Sequence, residues 1–88
     1  MRVVFLQKFD KDIDLINDDR IKQSLIDVII NVELAEKLSE INNLKKIKGD
    51  KTAYRIRVGN YRIGLFFENE IVMFARFVHR KDIYKVFP

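Results

Sequence analysis

The chain has 88 residues, a formal charge of +4, 48% hydrophobic residues, no cysteine and one histidine. Without a Pro- or Gly/Ser-rich linker, that length predicts a single domain, residues 1–88, with one modest core. The composition gives no disulfide framework, thiolate zinc site or protein-only metal site; with no apolar run near the roughly 18 residues of a membrane span and no signal-peptide pattern, a soluble cytoplasmic protein without metal or organic cofactor is expected.

RVVFL, residues 2–6, is a short apolar run with β-branched residues and predicts a strand. Phe9, Ile13 and Ile16 then recur at helical spacing. Asn17, Asp18 and Asp19 interrupt that face and supply N-cap chemistry for a second helix. Its stripe runs through Ile21, Leu25, Val28, Ile29, Val32, Ala35 and Leu38. EINNLKKIKG ends the periodicity in a basic connector closed by Gly49. From Tyr54 the period becomes two. Tyr54–Val58 and Tyr61–Phe67 read as strands around a Gly59–Asn60 turn. A three-residue turn over 68–70 leads to a strand over 71–78, and HRKDIYKVFP closes the chain as an irregular or short helical tail. The expected fold is α+β, of order β-α-α-β-β-β. A two-helix hairpin packs on one face of an antiparallel sheet of three further strands.

Charge is unevenly placed. Residues 1–43 carry six Lys/Arg and nine Asp/Glu, 6 − 9 = −3, and residues 44–88 carry eleven and four, 11 − 4 = +7. A basic half of this kind is either a solvated surface or a footprint for an anionic partner. Strand register favours the second reading. A two-residue turn pairs Val58 with Tyr61, Ile56 with Ile63 and Tyr54 with Leu65, which makes one apolar face. The other face then sets Arg57 opposite Arg62 and Arg55 opposite Gly64. Like charges facing across a sheet are destabilising, so the fold itself gains nothing from them, whereas a phosphate-binding surface does. The three-residue second turn extends the pattern. It places Arg62 beside Arg76, Gly64 beside Phe74 and Phe66 beside Val72, with Arg80 in the same parity. Gly64 removes bulk, so a ligand backbone could approach. With the helices covering the apolar face, the arginine face is expected to stand open.

The element order, the LKKIKG connector, YRIRVGNYRIG and the terminal HRKDIY together resemble the RelE/ParE toxin superfamily, over nearly the whole chain and most closely over residues 44–84. The RelE branch holds ribosome-dependent mRNA interferases, endoribonucleases that cut the message in the ribosomal A site. The message's 2′-hydroxyl attacks the adjacent phosphate and leaves a cyclic phosphate. The resemblance implies a type II toxin, with mRNA, the ribosome and a RelB-like antitoxin as partners. The acidic C-terminal segment of that antitoxin would wrap the toxin. It implies message-contacting roles for Arg55 and Arg57, a phosphate-steadying role for Arg62, a second catalytic arginine in Arg80 and the C-terminal tyrosine in Tyr84. The Arg80-to-Tyr84 spacing departs from that of the family's best-known member by two residues. Arginine also occupies strand positions where some relatives keep a proton acceptor, and arginine is a poor one. His79 and Tyr84 remain as candidates for proton transfer, although strand parity turns His79 away from Arg80.

Other readings stay open on the residues. Arg76 either joins the RNA-binding set or pairs with Glu68 or the C-terminal carboxylate. Lys46, Lys48 and Lys51, with Lys45, suit a sequence-independent RNA footprint. Phe66 and Phe74 form a small cluster under the tail, or stack on a base. Two further functions share the architecture: a ParE-like inhibitor of DNA gyrase without nuclease activity, and a catalytically inactive relative that only binds its antitoxin.

Overall fold

Five strands and three α-helices account for most of residues 1–88, all of which the computed structural model describes. In chain order they are β1 (Arg2–Phe5), α1 (Gln7–Asp14), α2 (Asp19–Leu34), β2 (Leu44–Lys46), β3 (Ala53–Val58), β4 (Tyr61–Glu68), β5 (Ile71–His79) and α3 (Ile83–Val86). The strands form one sheet in the order β1-β5-β4-β3-β2. All neighbours are antiparallel except β1, which lies parallel to β5 with Arg2 opposite Ile71 and Phe5 opposite Phe74. The expected strand–helix–helix–strand–strand–strand order holds. The sheet gains β2, a three-residue strand inside the basic connector, and β1 joins it at the far edge.

The helices start and stop for local reasons. The Asp18 carboxylate accepts from the backbone N–H groups of Arg20 (2.8 Å) and Ile21 (3.3 Å), satisfying two otherwise unpaired donors at the start of α2. Ala35 turns extended and ends α2 at Leu34, a turn before the hydrophobic stripe runs out. Ala35 and Leu38 still reach the core, but through a 3₁₀ turn at Leu38–Glu40. The Met1 ammonium donates to the carbonyls of Glu33 (2.6 Å) and Ala35 (2.7 Å), placing positive charge at the negative end of the α2 dipole.

The main core lies between the two long helices and one sheet face. Phe9, Val32, Ile56, Ile63, Leu65, Val72 and Phe74 are fully buried there. Phe9, Phe74 and Phe77 form its aromatic centre, with ring centroids 5.3 Å apart for Phe9–Phe74 and 6.4 Å for Phe9–Phe77. Burying each such side chain contributes about 2 kcal/mol. A smaller cluster of Ile47, Ala53, Ala75, Ile83 and Phe87 occupies the opposite face, with Leu6, Phe66 and Val78 against it. The expected open face is therefore divided. The C-terminal tail covers part of it and leaves the part nearer the β3–β4 turn uncovered.

The β3–β4 register is the expected one, from Ala53 opposite Phe66 to Val58 opposite Tyr61. The β4–β5 register is not. Glu68 pairs with Ile71, so the turn has two residues, Asn69 and Glu70, both with positive φ as a type I′ hairpin requires. A bulge between Gly64 and Leu65 then sets two residues of β5, Ala75 and Arg76, against one of β4. The bulge lets Phe74 and Phe77, three apart, both enter the main core. Phe74 is thus core rather than part of the arginine face, while Phe66 packs under the tail as one of its two readings had it.

Candidate nucleic-acid interface

Two rows of side chains cross the uncovered face. Lys45 of β2 stands opposite Arg55 of β3, and Arg55 opposite Gly64 of β4. One step nearer the turn, Arg57 stands opposite Arg62, and Arg62 opposite Val78 of β5. The backbone positions that carry Arg57 and Arg62 are therefore a strand spacing apart, on one face, at the Gly59–Asn60 end. Just past β5, the Arg80 N–H donates to the Asn60 carbonyl (2.8 Å), which brings Arg80 to the same end.

No carboxylate neutralises this group. The ion pairs of the chain are Arg76–Asp12 and Lys85–Asp82, and neither involves Arg55, Arg57, Arg62 or Arg80. Arg62 instead donates from one nitrogen to the carbonyls of Gly59 and Tyr61, both at 2.9 Å. Arg57 donates to the Asn43 side-chain carbonyl (3.3 Å), and Arg55 Nε to the Tyr84 hydroxyl (3.3 Å). Partial burial, followed by the like charges of Arg55, Arg57 and Arg80, pushes the Arg62 guanidinium below the usual arginine value; Tyr84 acts the other way. The group remains a cation at neutral pH. The arrangement offers several fixed N–H donors and concentrated positive charge to an oxyanion.

Three expected members stand elsewhere. Arg76 opposes Gly64, but its guanidinium turns to α1, where Nε meets Asp12 Oδ2 at 2.8 Å and a terminal nitrogen meets Oδ1 at 3.1 Å. The Phe77 N–H donates to the same carboxylate (2.9 Å). An acid does receive Arg76, but it is Asp12 rather than Glu68 or the C-terminal carboxylate. His79 opposes Tyr61 on the helix-covered side, edge-on to its ring at 5.7 Å. Its Nδ1 accepts from the Lys81 N–H (3.1 Å), so it faces away from the guanidinium group, as strand parity requires. Lys46 opposes Tyr54 on that same side, its ammonium 5.6 Å from the ring and bonded to the Asp50 carbonyl. Lys48 lines a depression of about 380 Å³ together with Lys45, Lys46, Ile47 and Tyr84, the last of which meets Arg55. Lys51 is exposed in the turn ahead of β3.

Gly64 has a different use from the one its lack of bulk suggested. A Cβ there would lie 2.6 Å from the Phe87 ring, so the space is filled by the protein's own tail.

A scan against protein-family models finds no match. The sequence is, however, 38% identical over 89 residues, spanning the full length of both chains, to Toxin RelE3 of Methanocaldococcus jannaschii. The chain belongs to the RelE toxin family. Its fold is similar to that seen in the RelB–RelE antitoxin–toxin complex from Methanococcus jannaschii, with a TM-score of 0.81, 36% identity, and 97% of this chain and 99% of that one covered. The RelBE2 toxin–antitoxin complex of Mycobacterium tuberculosis gives a TM-score of 0.71 at 21% identity, covering 90% and 96%. The Escherichia coli DinJ–YafQ complex gives 0.65 at 15%, covering 96% and 99%. At those lower identities the likeness is one of fold.

Within this RelE toxin, sequence reasoning passed over Asn43 and Phe87. Asn43 holds a left-handed φ of 63° just before β2 and orients Arg57. An Asn–Asn pair ahead of a short basic run was its only signal. Phe87 had none beyond being apolar in a polar tail.

Proposed function

We propose that this RelE toxin is a ribosome-dependent mRNA endonuclease, and that Arg55, Arg57, Arg62, Arg80 and Tyr84 form its working surface. The observation that carries the proposal is the set of guanidinium groups gathered from neighbouring strands with no acid among them, beside a tyrosine hydroxyl. A fold stabilised for its own sake does not assemble like charges in this way.

In the reaction the message's 2′-oxygen bonds to the adjacent phosphorus and the P–O5′ bond breaks, leaving a 2′,3′-cyclic phosphate and a free 5′-hydroxyl. Charge builds on the non-bridging oxygens in the transition state, where Arg62, Arg80 and Arg55 donate to it. Arg57, with Lys45 and Lys48, engages flanking phosphates. Tyr84 accepts from Arg55 through its oxygen, which leaves its own proton free to pass to the departing 5′-oxygen. The 2′-hydroxyl proton goes to solvent water, since the one histidine faces the other side of the sheet. The activity needs neither metal nor organic cofactor. The antitoxin seen with three relatives of this fold supports a RelB-like partner here, whose acidic segment would meet the same positive surface.

Primer extension on a message translated in the presence of the toxin tests the proposal. Cuts within the A-site codon are expected, bearing cyclic-phosphate ends and absent with Arg62→Ala. An uncut message together with stalled gyrase supercoiling would establish the ParE-like alternative. Equal growth arrest by the Arg62→Ala variant would remove chemistry from this surface and leave antitoxin binding as its role.

A further inference from the structure

The tail that carries Tyr84 is held at two points. Ile83 and Phe87 are 1% and 5% exposed and belong to the small cluster on the arginine side of the sheet. They lie four residues apart, and the Phe87 N–H donates to the Ile83 carbonyl (2.9 Å), so both point down from one helical turn. Tyr84, next to Ile83, cannot share that direction. It stands 65% exposed with its hydroxyl at Arg55 Nε. The seat of Phe87 is Gly64, where any side chain would collide with the ring, and Phe66 flanks it with its centroid 4.9 Å away. Gly64 is also the cross-strand neighbour of Arg55. The anchor of the tail and the arginine that meets Tyr84 are therefore adjacent on the sheet.

We propose that Gly64 and Phe87 form a positioning pair that sets Tyr84 against Arg55. Gly64 supplies the flat seat, Phe87 fills it, and the distance from that seat to the next strand fixes where the tyrosine hydroxyl stands. The catalytic consequence rests on the nuclease reading above; the positioning itself does not. A one-ångström displacement of a reacting group can cost about 10²-fold in rate, so the seat has leverage without touching RNA.

Two readouts test this on the full chain. The first is the Arg55 Nε–H signal in ¹H–¹⁵N spectra, which reports the bond to Tyr84 whether or not RNA is cut. It is expected to shift in Phe87→Ala and Gly64→Ala as it should in Tyr84→Phe, with the β3 and β4 backbone signals in place. The second is single-turnover cleavage. Phe87→Ala should slow the step by about 10²-fold with RNA affinity unchanged, and in combination with Tyr84→Phe should add almost nothing. Phe87→Leu, smaller but still apolar, should restore part of the rate to Gly64→Ala. An unmoved Arg55 signal in Phe87→Ala, a variant that needs no room made for it, overturns the proposal; so does a cleavage loss that multiplies with that of Tyr84→Phe. If wild-type protein cuts nothing, the nuclease reading fails and the Arg55 signal still decides the positioning.

Discussion

Arg62 and Arg76 sit on the same side of the sheet, one strand apart, and their surroundings differ in sign. Arg76 is received by the Asp12 carboxylate in a two-point fork, and that hydrogen bonding holds its guanidinium above the usual arginine value. Arg62 hydrogen-bonds to backbone carbonyls alone, and partial burial followed by the neighbouring arginines pushes it below that value. One arginine has its counterion built in. The other is left for a counterion that arrives. Identity of residue type and of sheet face says little about role; the presence or absence of an internal acid says much.

The contrast can be tested in order of size. Arg62→Ala should cost about 10²–10³ in the cleavage step, the range for removing one oxyanion donor, with the folded state intact. Asp12→Ala should do the reverse. It strips the partner from a mostly buried guanidinium and from the Phe77 N–H, and should lower unfolding free energy by about 3 kcal/mol in urea titrations. Cleavage per folded molecule should change little. RNA binding offers a third measure. With four guanidinium and two ammonium contacts to phosphate, the log–log salt slope on single-stranded RNA should be about −4, and Arg62→Ala should reduce it by about 0.7. Arg76→Gln should leave that slope unchanged. Arg57→Thr relieves the cross-strand pair and should raise stability by about 0.5 kcal/mol at low salt, less as salt screens it. Last, His79→Gln should leave single-turnover cleavage unaltered, because the side chain faces the other side of the sheet.

The sequence made the β3–β4 half of this picture readable. Its alternation is unbroken and Gly59–Asn60 permits one tight turn, so the facing of Arg57 and Arg62 follows from parity alone. The next strand defeats the same reasoning. Parity propagates without error only while residues pair one to one, and the bulge at Ala75–Arg76 adds one. The phenylalanines at 74 and 77 hold the trace of it, because an odd spacing puts both in one core only across such an irregularity. β2 was hidden for another reason: three residues with two lysines carry no period. The Asp12–Arg76 fork joins positions 64 apart in the chain, and nothing local in either residue announces the other. Charge placement was legible; charge neutralisation required the fold.

The parallel pairing of β1 with β5 has a consequence for biosynthesis. Arg2 finds its partner at Ile71, 71 − 2 = 69 positions later in the chain. At about 5–20 residues per second, several seconds separate the two in translation. During that interval the nascent helices have no complete sheet to cover, and the chain segment carrying Arg80 and Tyr84 has not yet been built. β5 is thus the clasp of the fold, and a product cut short before it should be degraded rather than active.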